Sequence, residues 1–111
     1  MSETSERLER LGIKLPVRDR KGKGVVDAVI DGNMMYLSLA LPVDADGNPA
    51  YTGKVGTDLT LEEAYQAAKL CGLNALTTIK DYVGELDRVD HVVEVLGMVN
   101  SGADFSSQPA V

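Results

Sequence analysis

An α+β domain is the fold class this sequence predicts, and three observations carry the prediction. Two short β-rich runs flank Asp31-Gly32-Asn33, a strong hairpin signal. From about Thr60 to Tyr82, apolar residues recur at helical spacing. From His91 to Val99, valines alternate with other residues as they do in a strand. The 111 residues suffice for one small domain and not two.

Taken in order, Thr4 to Leu11 has helical spacing, with Leu8 and Leu11 on one side. So short a helix is stable only when docked, and Gly12 can end it. Lys14 to Lys23 holds five Lys or Arg residues and one acid. Such a run reads as a solvated linker before it reads as a phosphate site. Val25 to Ile30 and Met34 to Leu41 are the hairpin strands. In the second, Met35, Leu37, Leu39 and Leu41 share one face, and Met34, Tyr36, Ser38 and Ala40 the other. Pro42 closes it. Asp44 to Pro49 is turn chemistry. It lacks the twelve-residue pattern ending in Glu that a calcium loop needs, so a calcium site is rejected.

Gly53 and Gly56 bracket Lys54 and Val55, and two glycines let the backbone turn tightly or approach another surface. Thr60 followed by Glu63 fits a capping box, so the long helix should start there. Its apolar stripe is Leu61, Ala64, Ala68, Cys71, Leu76, Ile79 and Val83, and Gly84 is the expected C-cap. Cys71 lies on that stripe and reads as a buried, inert thiol. In the third strand Val93, Val95 and Val99 alternate with Val92, Leu96 and Met98, so both faces need covering. One helix covers one face, which leaves the other for a partner such as a second subunit. Asp104 before Phe105 is a candidate cap for one more helix.

Composition excludes several functions. The formal net charge is −6, against the basic footprint that nucleic-acid binding needs. One cysteine cannot form an internal disulfide, and one histidine leaves no metal-ligand spacing, so no metal and no cofactor are expected. The polar N-terminus lacks a signal core, and no apolar run approaches the ~20 residues of a membrane span. A cytoplasmic protein without membrane contact is the expectation.

The order of hairpin, glycine turn, alanine-rich helix, strand and Asp-Phe pair resembles the RidA/YjgF family of small enamine/imine deaminases, also called endoribonuclease L-PSP-like. The matching residues are Gly32-Asn33-Met34 with Ser38 and Pro42, then Tyr51-Thr-Gly-Lys-Val-Gly56. Beyond them come Ala67-Ala-Lys-Leu-Cys-Gly-Leu-Asn74, Asp87-Arg-Val89, Val99-Asn100-Ser101 and Asp104-Phe105. The likeness covers the chain from about residue 24 and is strongest to a subgroup with an N-terminal extension. It implies residues 1–23 as a helical extension with a linker and residues 24–111 as a RidA-like domain. It also implies a chorismate-mutase-like mixed sheet, packed on one face by helices, in a homotrimer with ligand clefts between subunits. The chain is expected to stop before the family's last helix and strands.

The family chemistry holds a substrate carboxylate on an Arg while water attacks an imine carbon. Carried over residue by residue, Ser38 matches the active-site serine. Leu39 and Ala40 stand where the family has Gly-Gln, and Val25 stands where it often has a tyrosine. The family's Arg and late Glu have no counterpart, and Arg88 is the only Arg downstream of residue 20. The resemblance therefore gives Ser38, Leu39, Tyr51 and Asn100 as candidate ligand contacts and no assigned catalytic residue. Lys54 is a candidate anion contact weighed against a plain loop lysine, and His91 beside Asp87, Asp90 and Glu94 reads as solvated. Two functions follow as expectations. One is hydrolytic deamination of imines such as 2-iminobutanoate or 2-iminopropanoate, contingent on a segment that bears the Arg. The other is a catalytically silent protein that binds small carboxylates on the same scaffold. Ribonuclease activity is least favoured, given the acidic balance.

Overall fold

The computed structural model describes residues 2–17 and 26–111. Val25 and the basic run from residue 18 to residue 23 lie outside the described residues. The element order is helix α1 (Glu3–Arg10), strands β1 (Ala28–Asp31) and β2 (Met34–Leu37), helix α2 (Leu61–Val83), and 3-10 turns at Leu86–Arg88 and Gln108–Ala110. The architecture is thus a small α+β arrangement with two helices and one two-stranded antiparallel sheet among the described residues.

Helix α1 ends as its sequence foretells. Gly12 takes φ +69°, its N–H bonds the Glu9 carbonyl, and the Ile13 N–H bonds the Leu8 carbonyl. These two bonds make a Schellman ending, with half-buried Leu8 and Ile13 as its apolar pair. No residue of α1 is fully buried. Its attachment is polar: the Asp87 carboxylate accepts from the Glu3 N–H at 2.8 Å, from the Thr4 N–H at 2.9 Å and from the Thr4 hydroxyl.

The hairpin pairs Asp31 with Met34 and Ala28 with Leu37. Gly32 at φ +61° is the first central residue of the two-residue loop, as in a type II′ turn. The strands are shorter than their β-rich runs. After Leu37, one further bond follows, from the Ser38 N–H to the Asp27 carbonyl. Ala28 is buried and Met35 half-buried, so this face turns towards α2. Val29 and Tyr36, paired on the opposite face, are exposed.

Helix α2 carries the expected capping box: Thr60 Oγ1 accepts from the Glu63 N–H, and the Glu63 carboxylate accepts from the Thr60 N–H. Gly84 closes the helix at φ +90°. The buried side differs in part from the expected stripe. Ala64 is buried, but Leu61 and Ala68 are exposed, and the remaining buried positions are Asn74, Thr77 and Thr78. These polar groups bond to backbone. Asn74 Nδ2 donates to the Leu41 and Val43 carbonyls, and the Thr77 hydroxyl reaches the Pro16 carbonyl of the N-terminal segment. The core is small, with Ala28, Val43, Val55, Ala64 and Leu86 as its buried apolar residues.

The strand expected over His91–Val99 does not form. Residues 90–99 run without turn or bend, and 91–98 are all exposed. A strand exists only against a neighbour that pairs its backbone, and no described residue does so here. The mixed sheet expected from the resemblance is absent among the described residues for the same reason. The helix expected after Asp104 is also missing: Ala103 and Asp104 form a turn, and only the 3-10 turn at Gln108–Ala110 follows.

Candidate functional site

The glycine turn borders a shallow depression of the surface. Gly53 takes φ +118°, and a Cβ there would sit 2.6 Å from Asp58 Cβ. That closeness lets Asp58 Oδ2 accept from the Lys54 N–H at 2.8 Å and fold the turn back on itself. The Lys54 carbonyl accepts from Asp58 and Leu59, which leads the chain into the Thr60 cap. Val55, buried, then bridges to the segment after the exposed run. Its N–H donates to the Asn100 carbonyl, and its carbonyl accepts from Gly102.

This junction leaves a shallow depression of about 330 Å³ lined by Gly56, Thr57, Gly102, Ala103, Asp104 and Phe105. Two glycines make it. Gly56, at φ +90°, faces Phe105, and a side chain on Gly102 would collide with Thr57 Oγ1. Its polar groups are the Thr57 hydroxyl and the Asp104 carboxylate, so its lining carries negative charge and no cation.

The four expected ligand contacts do not line this depression. Ser38 is exposed, and its hydroxyl donates to the Asp27 carbonyl at 3.2 Å, which ties the open end of the hairpin. Leu39 is exposed beyond the end of β2. Tyr51 is half-buried, following Ala50, whose N–H bonds the Pro42 carbonyl. Asn100 touches the junction through its backbone, with its side chain exposed. Backbone contacts thus link the regions that carry these residues, but among the described residues no side-chain hydrogen bond joins one of the four to another.

Other candidates resolve as structural groups. Arg88 Nη1 donates to the Val83 carbonyl and closes the end of α2. His91 Nδ1 lies 2.7 Å from Asp90 Oδ2 on an exposed surface. Asp44 Oδ1 accepts from the Asp46 and Asn48 amides, an Asx turn that uses up the acceptor. Cys71 is half-buried, and burial pushes its thiol above the usual range, which lowers its reactivity. Among the described residues no cluster of His, Cys, Asp or Glu could hold a metal ion, and no helix is long and apolar enough to cross a membrane. The group that sequence reasoning missed is Asn74. Its only signal was a polar residue one turn away from Cys71 on the face of a helix bound for the core.

The geometry defines a small α+β scaffold with a glycine-built junction between the turn that leads into α2 and residues 100–102. No family model matches the chain. It is 36% identical over 104 residues to Protein TCP17 of Trypanosoma cruzi, covering 94% of this chain and 64% of that protein. Among solved structures it is similar to Atu1372 of Agrobacterium tumefaciens, a protein of unknown function. The TM-score is 0.81 at 35% identity, over 95% of this chain and 62% of that one. It is also similar to a candidate endoribonuclease from Shewanella oneidensis, with a TM-score of 0.69 at 31% identity, over 78% of this chain and 57% of that one. The chain therefore spans between 57% and 64% of the length of these relatives.

Proposed function

We propose that this chain is a RidA/L-PSP-like scaffold that binds a small carboxylate without turning it over. The observation that carries the reading is the likeness to the candidate endoribonuclease, at 31% identity over 78% of this chain. The order of motifs from Gly32 to Phe105 supports it from the sequence side. Lys54 is the cation nearest in sequence to the Val55–Asn100 junction, and it offers a point charge for a carboxylate. Ser38, Leu39 and Tyr51 precede it in the loops between β2 and α2, and Asn100 meets its neighbour Val55 through the backbone.

Turnover is a different matter. Hydrolytic deamination needs the substrate carboxylate held rigidly while water attacks, and a bidentate Arg is the group suited to that. Here the single downstream Arg, Arg88, is spent on the Val83 carbonyl. The purified chain is expected to break down 2-aminoacrylate no faster than buffer, and a rate well above buffer would favour the deaminase reading instead. Calorimetry with pyruvate and 2-oxobutanoate should give weak binding, with Kd about 1 mM, or about 4 kcal/mol. Lys54→Ala should remove it. No heat with the parent chain would overturn the ligand reading.

The exposed face of the hairpin, with Val29 and Tyr36 on it, suits burial against other copies. We place a homotrimer on that face, as the family resemblance implies. Light scattering should then give three times the 11.9 kDa chain mass, and a monomer at micromolar concentration would rule it out.

A further inference from the structure

The depression beside the glycine turn holds two polar side chains that the fold does not use. Neither the Thr57 hydroxyl nor the Asp104 carboxylate makes a hydrogen bond or ion pair among the described residues. Asp104 reads in the sequence as a helix cap, but no helix follows it directly, so its carboxylate has no amide to bond. The backbone brings the two together. The Gly102 N–H bonds the Val55 carbonyl at 2.9 Å, and a Cβ on Gly102 would collide with Thr57 Oγ1. The Thr57 hydroxyl therefore lies beside the turn that carries Asp104. The Gly56 and Ala103 carbonyls, on the same lining, accept no hydrogen bond from a described residue. Half-buried Phe105 packs against Gly56 and, with Ala103, gives the depression its apolar side.

Each of these polar groups can accept, and the one charge among them is negative. Such a lining suits an ammonium group, whose three hydrogens a carboxylate, a hydroxyl and a carbonyl can take. The opposite charge stands at the rim. The Lys54 carbonyl accepts from the Thr57 N–H at 3.2 Å, so Lys54 belongs to the same turn as Thr57. Its ammonium is a compact charge on a flexible four-carbon stem.

We propose that this site takes a zwitterion, a small aliphatic α-amino acid whose ammonium sits on Asp104 and Thr57 and whose carboxylate reaches Lys54. The proposal rests on the carboxylate reading above and adds a second anchor to it. A 2-oxo acid presents a carbonyl where the amino acid presents an ammonium, and a carbonyl has no hydrogen to donate to Asp104. The depression, about 330 Å³, has room for such a molecule. Thr57 and Asp104 are open to solvent, so affinity is weak and the preference between ligands is the informative quantity.

Titration of the nitrogen-15-labelled 111-residue chain, followed by amide chemical shifts, tests it with L-2-aminobutanoate and 2-oxobutanoate, which differ only at the second carbon. L-2-aminobutanoate should shift the amides of Thr57 and of residues 102–105, and bind about fivefold more tightly than 2-oxobutanoate. Lys54→Ala should weaken both ligands. Asp104→Asn should erase the preference by weakening the amino acid alone. It should bind 2-oxobutanoate at least as well as the parent does, because a carboxylate that repels an anion is gone. Equal affinity of the parent for the two ligands would overturn the zwitterion proposal and leave the carboxylate reading standing. A preference for the amino acid that survives in Asp104→Asn would do the same. Amino-acid binding that Lys54→Ala leaves intact would overturn both, as would the absence of any shift with either ligand.

Discussion

Replacing Asn74 with aspartate should destabilise this chain more than any other single change considered, by about 3–5 kcal/mol in urea unfolding. Asn74 is 1% exposed, and its amide donates to the Leu41 carbonyl at 2.8 Å and to the Val43 carbonyl at 3.2 Å. These bonds clamp the chain on either side of Pro42 to the middle of α2. An aspartate would turn a carboxylate towards two carbonyl oxygens at a buried position. It would have to stay protonated, and then it could satisfy only one of them. Asn74→Leu is the gentler test. Two buried carbonyls would lose their donor, a loss of about 1–3 kcal/mol each. Part of that is offset because Asn74 Oδ1 is itself buried without a donor among the described residues. A net loss of about 2–4 kcal/mol is expected. An unfolding midpoint for Asn74→Leu equal to that of the parent would mean that these carbonyls find other donors. The clamp would then carry no stability.

The contrast between Asn74 and Thr60 explains what could be read from residues alone. The Thr60–Glu63 box, the Gly12 and Gly84 ends and the Gly32 turn are local: each partner lies within five residues, so the sequence contains the whole interaction. The partners of Asn74 lie 31 and 33 residues away, and nothing in their own side chains marks two carbonyls as needing a donor. The stripe on α2 departs from the buried face at Leu61 and Ala68 for a related reason. Periodicity locates an apolar face, but here the buried face is built from Asn74, Thr77 and Thr78, whose polarity is compensated only by the chain they meet. The run at 91–99 failed in the opposite sense. Its pattern is that of a strand, but pairing is a property of two segments, and pattern describes one. The candidate site was least legible of all. Ser38, Leu39, Tyr51 and Asn100 follow from resemblance, whereas the depression is made by backbone approach at Gly56 and Gly102.

Removing the Asp87 carboxylate should free helix α1 from the domain while leaving α2 folded. The first turn of a helix has N–H groups with no partner inside the helix. In α1 those of Glu3 and Thr4 go to Asp87, and that of Ser5 goes to Ser2 Oγ. The Asp87 charge also sits at the positive end of the helix dipole. Its reach across 83 residues is what turns a cap into a tether. Little else holds the helix: it buries no residue fully, and its Arg7–Glu3 pair at 3.9 Å is exposed and contributes little. An eight-residue helix does not persist alone, so undocking and unfolding should coincide. In Asp87→Ala, amides 5–10 should lose their protection from hydrogen exchange while those of α2 keep theirs. Unchanged protection in α1 would show that Leu8 and Ile13 suffice to hold it. Acid should act in the same way. The hydrogen bonds from Thr4 hold the Asp87 carboxyl below its ordinary value of 3.8. A carboxylate with a lowered folded pKa contributes its stability above the unfolded value and loses it as pH falls through the folded one. The tether should therefore be intact at pH 5 and above, and it should release only below about pH 4, as the carboxyl takes up its proton. Asp87→Ala should abolish this step, and a release of α1 that persists in the variant would place the titrating group elsewhere.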